Sequence, residues 1–240
     1  MHVLQPDPKT LLNRVLSSCL NGRSVSVLEA GGGSRTHLRE QMLNIASVTT
    51  VDISAEQLAR NTYADFKIEA DLEKFEPERS YDVVIMFQVL EHLQNADRAL
   101  ENLARACADD GFVVVGSPYM RSFSGMVTRF TPHWFHVFFY RRILGWKTAG
   151  QPGYPPFRAF YHPLTLPQNL QRFFEARGFE TVYLGLYQGG LYRSARKQRP
   201  LFGLLLMAVT ALINIATPKS YNSRQGEYNA VFRKAAGDAR

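Results

Sequence analysis

The chain alternates short apolar, β-branched segments with segments of helical periodicity, and this alternation restricts it to few folds. The first five strand-like segments are SVSVLEA, SVTTVDI, FKIEADL, YDVVIMFQVL and GFVVVGSP. The last two are apolar along most of their length, as are central strands that are buried on both faces. Strands that alternate with helices predict an α/β fold with a doubly wound, mainly parallel sheet. Two later segments, FETVYLGLY and EYNAVFRKA, predict a sixth and a seventh strand.

Capping residues and apolar spacing predict the helices between these strands. The pair Asp7-Pro8 starts the first helix, and Ser54 caps the helix in SAEQLARNTY. Thr165 and Gln168 form a capping box for the helix before the sixth strand. Helical spacing also predicts a helix in SRTHLREQMLNI and one from Ala96 to Cys107.

Three consecutive glycines in VLEAGGGSRTHL connect the first strand to the segment that follows it. Glycine adds backbone entropy to the unfolded chain and packs no side chain, so the run indicates that a ligand approaches the backbone closely. In open α/β sheets, ligands bind at the carboxyl ends of the strands. A dinucleotide fingerprint needs G-x-G-x-x-G, but here Gly31 and Gly33 are followed by Thr36. Glu29 would repel a pyrophosphate and attract a positively charged amino group, which disfavours a nicotinamide cofactor.

At these residues the sequence resembles the class I S-adenosylmethionine-dependent methyltransferases, whose first motif EAGGG matches. The resemblance implies that Gly31 and Gly33 admit the methionine part of S-adenosylmethionine and that Glu29 orients its amino group. Asp52 stands 23 residues after Glu29, where the family has an acid that binds both ribose hydroxyls, with Ile53 beside it. A plain helix-capping role for Asp52 is the alternative.

Two further motifs extend this resemblance over the segment from Val25 to about Tyr119. Asp71 in EADLEKF matches the acid beside the adenine amino group, with Leu72 next to it, although an ordinary loop acid is the alternative. YDVVIMFQVLEHL resembles the fourth-strand motif and implies that Phe87 and Gln88 lie near the sulfonium. The resemblance implies a Rossmann-like, seven-stranded sheet that is mostly parallel, with an antiparallel last strand.

A chain of 240 residues with 45% hydrophobic content suffices for one well-buried domain and is short for two. We therefore expect a single methyltransferase domain over residues 1–240, with an N-terminal helix over 1–22 and a cofactor-binding core over 23–118. An aromatic, irregular insertion over 119–164 would form the acceptor site. The C-terminal part, 165–240, would contain an apolar helix over 200–217.

Methyl transfer requires an acceptor that is aligned and shielded from water, and a hydroxyl acceptor must also lose a proton. The resemblance places the acceptor pocket beyond the fourth and fifth strands, in the aromatic insertion. His133, His136 and Tyr140 are the catalytic candidates there, with either histidine as general base. Packed, hydrogen-bonded histidines are the alternative. Arg141 and Arg142 would either hold a phosphate or carboxylate of the substrate or face solvent.

The pair Glu91-His92 has the residue types of an acid/base or metal site, but in LEHL it opens a helix. We therefore favour a capping role, with catalysis by His92 as the alternative. No other cluster of His, Cys, Asp or Glu has metal-ligand spacing, so no metal is expected. Cys19 and Cys107, the only cysteines, lie far apart in apolar helical contexts and predict two reduced, buried thiols.

Charge is distributed unevenly along the chain. Residues 1–190 hold 19 Lys+Arg and 19 Asp+Glu, whereas residues 191–240 hold 9 and 2. The excess brackets the 17 uncharged residues from Leu201 to Thr217, a run that is short for a membrane span and lies between two predicted strands. We expect a helix in the membrane interface that meets an anionic surface through residues 193–219, with an ordinary buried helix as the alternative. A neutral core disfavours nucleic acid as a partner.

Together these features predict a methyltransferase that uses S-adenosylmethionine to methylate an oxygen or nitrogen. The acceptor would be a small molecule, a saccharide or a lipid-linked compound. The N-terminus lacks the layout of a secretory signal, so we expect a cytoplasmic protein, with membrane association through the tail. The alternatives are a non-catalytic protein of the same fold that binds the cofactor or a partner, and a nicotinamide-dependent oxidoreductase.

Overall fold

The computed structural model describes residues 8–36, 43–143, 145–151, 154, 156–189, 200–217 and 222–236. Its strands are β1 Ser24–Ala30, β2 Asn44–Asp52, β3 Phe66–Glu69, β4 Tyr81–Phe87, β5 Cys107–Pro118, β6 Phe179–Gln188 and β7 Gln225–Lys234. They form one sheet of order β3-β2-β1-β4-β5-β7-β6. Strands β1 to β5 pair in parallel, and β7 pairs antiparallel with both β5 and β6. The predicted mostly parallel, doubly wound sheet with an antiparallel last strand is confirmed.

Helices accompany this sheet along the chain. They are α1 Pro8–Leu20, α2 Ala55–Ala59, α3 Ala96–Ala106, α4 Phe123–Phe130, α5 His133–Arg142, α6 Pro167–Glu175 and α7 Pro200–Ala216. Because successive side chains of a strand point to opposite faces, β4 contributes to two cores. Val84 and Met86 pack in the cluster that contains residues of α3 and α6, whereas Val83 and Ile85 pack in the cluster that contains α1. Strand order reverses between β1 and β4, where doubly wound sheets bind ligands.

Two predicted helix boundaries near the N-terminal half can be compared with the structure. The predicted cap Asp7 lies outside the described residues, but the helix itself is present from Pro8. The helix predicted in SRTHLREQMLNI falls largely on residues 37–42, which also lie outside. Its last two residues were assigned wrongly, because Asn44 and Ile45 begin β2, where β1 pairs with them.

Of the other two predicted helix caps, Ser54 is confirmed and Thr165 is wrong. Ser54 caps α2, and its hydroxyl accepts a hydrogen bond from the Gln57 backbone N–H at 3.3 Å. Thr165 instead ends a short 3₁₀ turn and donates its hydroxyl to the His162 carbonyl at 2.7 Å. Helix α6 begins two residues later at Pro167, whose fixed φ suits the first helical position.

The aromatic insertion is not irregular, as the sequence predicted, but contains α4 and α5. Ser122 caps α4 by accepting a hydrogen bond from the Gly125 N–H at 3.0 Å. No residue of α5 is fully buried, and its inward-facing side chains, among them Phe135 and Phe139, line a cavity. Helical periodicity reflects one fully buried face, and α5 has none.

The two cysteines differ in burial. Cys107 is buried, as predicted, but Cys19 is exposed. In α1 Leu12, Leu16 and Leu20 are buried, whereas Cys19, in the last turn at the edge of this face, is exposed. The prediction of two buried thiols was therefore wrong for Cys19.

Candidate functional site

The glycine turn leaves the carboxyl end of β1 and is fixed from both sides. Gly31 and Gly33 have φ of 69° and 51°, a region that side-chain-bearing residues rarely adopt. The Gly31 N–H donates to the Val51 carbonyl at 2.7 Å, and the Asn61 side-chain amide donates to the Gly33 carbonyl at 2.7 Å. A Cβ placed on Gly33 would lie 3.5 Å from Asp52 Oδ2, so the turn and Asp52 border the same space.

Part of the demand for glycine comes from the protein itself. A Cβ on Gly32 would lie 2.8 Å from both Glu29 Cγ and the Tyr63 hydroxyl. A Cβ on Gly31 would collide with the side chain of Val89. A substitution such as Gly31→Val would therefore distort the turn as well as obstruct a ligand, and is not a clean test of binding.

Glu29 is a buried carboxylate directly before this turn, with only 2% of its surface exposed. The Tyr63 hydroxyl lies close to the side chains of Glu29 and Thr50, and burial raises the pKa of this tyrosine. A buried carboxylate is costly unless a partner or a cation stabilises it. Its position at the end of β1 suits a ligand that carries a positively charged amino group.

Asp52 ends β2 beside the turn and is 9% exposed. Its Oδ1 accepts a hydrogen bond from the Ser54 N–H at 2.8 Å, while Oδ2 faces the glycine turn. Ser54 and not Asp52 caps α2, so one oxygen of the Asp52 carboxylate stabilises the turn before that helix and the other is directed at the glycine turn. Ile53, the next residue, is 71% exposed at the same edge of the sheet.

The predicted adenine contacts follow β3. Asp71 Oδ1 accepts a hydrogen bond from the Glu73 N–H at 3.0 Å, which stabilises the local turn. Leu72 is 5% exposed and belongs to the core, and its carbonyl accepts a hydrogen bond from Asn102 at 2.9 Å. Any ligand contact by Leu72 would therefore involve its backbone N–H and not its side chain.

Phe87 and Gln88 stand at the carboxyl end of β4, next to the glycine turn. A Cβ on Gly116 would collide with the Phe87 ring, so this ring lies directly over Gly116 of β5. Gln88 has a φ of 57°, which is unusual for a residue other than glycine, and its N–H donates to the Gly116 carbonyl at 2.8 Å. Such strain is often found at functional sites.

A cavity of about 810 Å³ begins at these strand ends and extends away from the sheet. Gln88, Glu91, His92 and Pro118 line its inner end. Helices α4, α5 and α7 and the segment 156–161 line most of the rest. Apolar side chains such as Phe123, Phe139 and Leu205 predominate there, together with a few polar ones, among them Arg129 and His133. The cavity is therefore polar at the sheet and mainly apolar farther out.

Glu91 and His92 form a polar pair at the inner end, in a 3₁₀ turn over Leu90–His92. Glu91 Oε1 lies 3.7 Å from His92 Nε2, and the Ser117 hydroxyl donates to Glu91 Oε2 at 3.3 Å. Burial raises the pKa of Glu91 to about 7 and lowers the pKa of His92. His92 Nδ1 lies 2.8 Å from the Arg158 carbonyl, which can only accept, so Nδ1 carries the proton and Nε2 keeps its lone pair.

The three predicted catalytic residues also line the cavity, farther from the sheet. His136 Nε2 lies 2.9 Å from the Thr131 hydroxyl, so this nitrogen is hydrogen-bonded within the protein. Tyr140 packs edge-on against Trp146, and burial raises the pKa of its phenol, which makes it harder to ionise. His133 is exposed at the start of α5.

Sequence analysis assigned Glu91 a capping role, but its side chain caps no helix in the structure. Glu91 is 4% exposed and points into the cavity wall. The available signal was a carboxylate and an imidazole between apolar residues immediately after a central strand, where active-site groups of α/β folds cluster. Among the described residues, no group of three His, Cys, Asp or Glu is placed to hold a metal ion.

Comparison with known proteins identifies relatives at the level of the family and the fold. A family model described as a methyltransferase domain matches residues 2–184. Among curated proteins, no sequence matches this chain.

Several solved structures share the fold at low sequence identity. The plantazolicin methyltransferase BpumL, in complex with a substrate analogue and SAH, is 14% identical with a TM-score of 0.56, over 97% of this chain and 86% of that one. The [4+2]-cyclase SpnF is 17% identical with a TM-score of 0.54, over 94% and 82%. The N-methyltransferase NodS from Bradyrhizobium japonicum WM9 is 15% identical with a TM-score of 0.52, over 97% and 99%.

Proposed function

The chain belongs to the methyltransferase-domain family, and from that premise we propose that it methylates an oxygen or nitrogen of a lipid-linked acceptor. The single observation that carries this proposal is the cavity of about 810 Å³. Its inner end lies at β4 and β5, and Val89, between the cavity residues Gln88 and Glu91, contacts the glycine turn. Its outer part is apolar, which suits a long apolar group better than a free saccharide.

The cofactor of this family, S-adenosylmethionine, fits the residues present at the glycine turn. When bound, it supplies an activated methyl group on a positively charged sulfur. The buried Glu29 carboxylate and the backbone of Gly31 and Gly33 would hold its amino-acid part. Asp52 Oδ2, with Ile53 alongside, would accept hydrogen bonds from the ribose. Residues that would border the adenine and the sulfonium are Asp71, Leu72, Phe87 and Gln88.

The reaction also requires that the acceptor loses a proton. In the overall reaction an O–CH₃ or N–CH₃ bond forms, the sulfur–methyl bond breaks with both electrons remaining on sulfur, and the acceptor's proton passes to the protein. His92 Nε2 is the proposed proton acceptor, because its lone pair is kept by the Nδ1 contact with the Arg158 carbonyl. Glu91, 3.7 Å from Nε2, would stabilise the imidazolium that results.

These assignments favour His92 over His133, His136 and Tyr140 as the proton acceptor. His136 Nε2 already contacts two oxygens of Thr131, its hydroxyl and its carbonyl. Burial raises the pKa of Tyr140, so at neutral pH its phenol stays protonated and little phenolate is present to accept a proton. Both residues instead shape the cavity wall, which excludes water from the acceptor.

A second candidate is a reaction on this fold that transfers no methyl group. It is favoured by the likeness to SpnF, which is described as a [4+2]-cyclase and not as a methyltransferase. The cavity would then hold a substrate whose bonds rearrange without a co-substrate. A purely binding protein of the same fold is the milder form of this alternative.

The experiment that separates these possibilities measures transfer of label from methyl-labelled S-adenosylmethionine. The protein is incubated with a lipid extract of bacterial membranes in detergent, and separately with a water-soluble metabolite extract. We expect label in the lipid extract and loss of that label in Asp52→Ala. Label only in the water-soluble fraction would contradict the lipid-linked acceptor, and no label in either, with cofactor bound, would favour the second candidate.

We further propose that the protein works at a membrane surface on the cytoplasmic side. The predicted contact through residues 193–219 cannot be traced through its flanks, because residues 193–199 and 218–219 lie outside the described residues. Helix α7 is described, and no helix among the described residues is long and apolar enough to cross a membrane.

A further inference from the structure

We propose that α4, α5 and α7 together form a docking surface for an anionic lipid bilayer and that the cavity opens within this surface. We call the exposed apolar side chains of these three helices the docking face. They are Met126, Val127, Phe130, Trp134, Phe138, Leu201, Leu204, Leu205, Leu212 and Ile215. The inference deepens the proposed function by naming the source of the acceptor, and the docking itself does not depend on the reaction.

Helix α7 exposes most of its apolar surface. Its 17 residues carry no charge, yet Leu201 and Ile215 are each more than 80% exposed and Leu204 is 65% exposed. Its buried side is narrow and includes Leu206 and Thr210. Exposed apolar surface on this scale is unfavourable in water, so this side of α7 is expected to contact an apolar environment.

Helix α7 is also anchored firmly to the rest of the protein by polar contacts on its inner side. Arg224, immediately before β7, donates to the Thr210 hydroxyl and to the Met207 carbonyl, each at 3.3 Å. The Asn214 side chain accepts a hydrogen bond from the Ser223 N–H at 2.8 Å. The exposed side is therefore held in place and is not a result of a detached helix.

Helices α4 and α5 present similar side chains on the other side of the cavity. Phe130 is 78% exposed, Trp134 is 69% exposed and Phe138 is 50% exposed. Trp and Phe at such positions are typical of interfacial membrane anchors. The Phe123 N–H at the start of α4 donates to the Ser223 carbonyl, and the Ser223 hydroxyl donates to the Thr210 carbonyl, which connects α4 to α7.

Charge complementarity identifies the occupant as an anionic bilayer. Residues 111–174 contain seven Lys+Arg and no Asp or Glu. Arg129, Arg142 and Lys147 are exposed, and among the described residues no ion pair joins any of them to an acid. Each basic residue near an anionic leaflet contributes about 1 kcal/mol of attraction. A neutral apolar partner would leave this excess unexplained.

The cavity reaches the docking face through side chains that belong to both. Leu205 lines the cavity and is 61% exposed, and Val127 lines the cavity and is 38% exposed. Leu205 is on α7 and Val127 on α4, so the opening lies between them. A lipid tail that enters here would leave the bilayer without crossing water, and its polar head would reach Gln88 and His92 at the sheet.

The test is co-sedimentation of the full chain with vesicles of phosphatidylglycerol and phosphatidylcholine, compared with phosphatidylcholine alone, at two salt concentrations. We expect binding to the anionic vesicles that weakens as salt increases. Leu204→Gln with Leu212→Gln on α7, and Trp134→Gln with Phe138→Gln on α5, should each weaken binding about ten-fold or more. None of these four residues lines the cavity.

Matched controls distinguish the docking face from general surface effects. Phe66→Gln removes an apolar side chain that is 53% exposed in β3, and should leave vesicle binding unchanged. Arg142→Gln with Lys147→Gln should weaken binding to anionic vesicles, whereas Arg60→Gln with Arg98→Gln should not. Circular dichroism confirms that each variant is folded.

Three results would overturn the proposal. The first is that the parent protein remains in the supernatant with anionic vesicles at low salt. The second is that the α5 double variant binds vesicles as well as the parent does. The third is that sedimentation velocity shows a dimer that the α7 double variant dissociates, which would make the docking face a contact between two copies of the protein. Vesicle binding without label transfer to any lipid would leave docking intact and contradict the proposed function instead. Label transfer to detergent-dispersed lipid without vesicle binding would leave the proposed function intact and contradict docking.

Discussion

The two halves of this molecule differ in charge and in what they expose. Residues 1–110 carry 11 Lys+Arg and 17 Asp+Glu, a net charge of −6, whereas residues 111–240 carry 17 and 4, a net charge of +13. Of the 17 large apolar residues that are exposed in the described part of the chain, 15 lie in the second half. The proposed cofactor site lies in the first half, and the proposed docking face for an anionic bilayer lies in the second half.

Under the proposed function, one sheet supports the binding of two kinds of partner. In the first half, polar groups are buried and fixed by specific contacts, as in Glu29, Tyr63 and Asn61 around the glycine turn. In the second half, no residue of α5 is fully buried, and Trp134 and Phe138 are exposed. Cofactor binding and acceptor binding should therefore respond to different substitutions.

The largest expected effect tests the residue at the boundary between the halves. His92→Gln should lower the rate of label transfer by about 100-fold or more, because general bases contribute that much to proton removal. Cofactor affinity, measured by isothermal titration, should stay near that of the parent. His136→Gln is the matched control and should lower the rate only slightly, and the opposite ranking would restore the sequence-based assignment.

Asp52→Ala should weaken the binding of both S-adenosylmethionine and its demethylated product. Loss of hydrogen bonds to a charged group predicts an effect of about 10- to 100-fold in Kd. Asp65→Ala removes another carboxylate, whose Oδ2 accepts a hydrogen bond from the Val48 N–H at 2.8 Å at the other side of β2, and should leave affinity unchanged. Equal affinities for the parent and Asp52→Ala would show that the ribose assignment is wrong.

The pH dependence of the rate tests the Glu91–His92 pair. Burial raises the pKa of Glu91 to about 7, so its carboxylate form, which stabilises the imidazolium, is present above pH 7 and is lost as the pH falls through 7. The parent rate should decrease in that range. In Glu91→Gln only His92 titrates, and because its pKa is lowered by burial, the decrease should move to lower pH. An unchanged profile in this variant would exclude Glu91 from the proton transfer.

The smallest expected effect concerns stability. Trp134→Gln and Phe138→Gln replace exposed side chains, so the free energy of unfolding should change by no more than about 0.5 kcal/mol. Phe174→Ala, on the buried side of α6, should lower the free energy of unfolding by about 3–5 kcal/mol. Denaturant unfolding measures both. A large loss of stability in the α5 variants would mean that these side chains pack against the protein and not against lipid.

The sequence predicted the first half well because its strands are buried by the protein's own helices. Each face of β4 meets a helix, so burial repeats along the strand and appears as a continuous apolar segment. The start of β2 was harder to predict, because its first residue, Asn44, is polar and exposed.

The second half was predicted poorly for a related physical reason. Periodicity appears when one face of a helix is buried, and α5 buries none of its residues, so its sequence looked irregular. The positive charge of this half was also underestimated from the sequence. The net charge of residues 1–190 is zero, because the −6 of residues 1–110 cancels the +6 of residues 111–190.

The candidate site shows the same limit at the level of single residues. The glycine turn and Asp52 were predicted because they match positions of a family motif that lie close together in sequence. Glu91 was assigned a capping role because its burial and its contact with Ser117 depend on residues that are distant in sequence. Residue type alone favoured His133 and His136, although His92 has the better-placed lone pair.

The insertion of α7 between β6 and β7 has a consequence for how such proteins diversify. The two strands pair antiparallel along ten residues each and would need only a short turn to connect them, yet 36 residues, 189–224, lie between them. The entropic cost of closing a loop grows slowly with its length, so a long loop here lowers the stability of the sheet only slightly. The segment that contains α7 can therefore be exchanged at little cost to the sheet, and because Leu205, Leu206 and Val209 line the cavity, each exchange changes the shape of the space beside the strand ends.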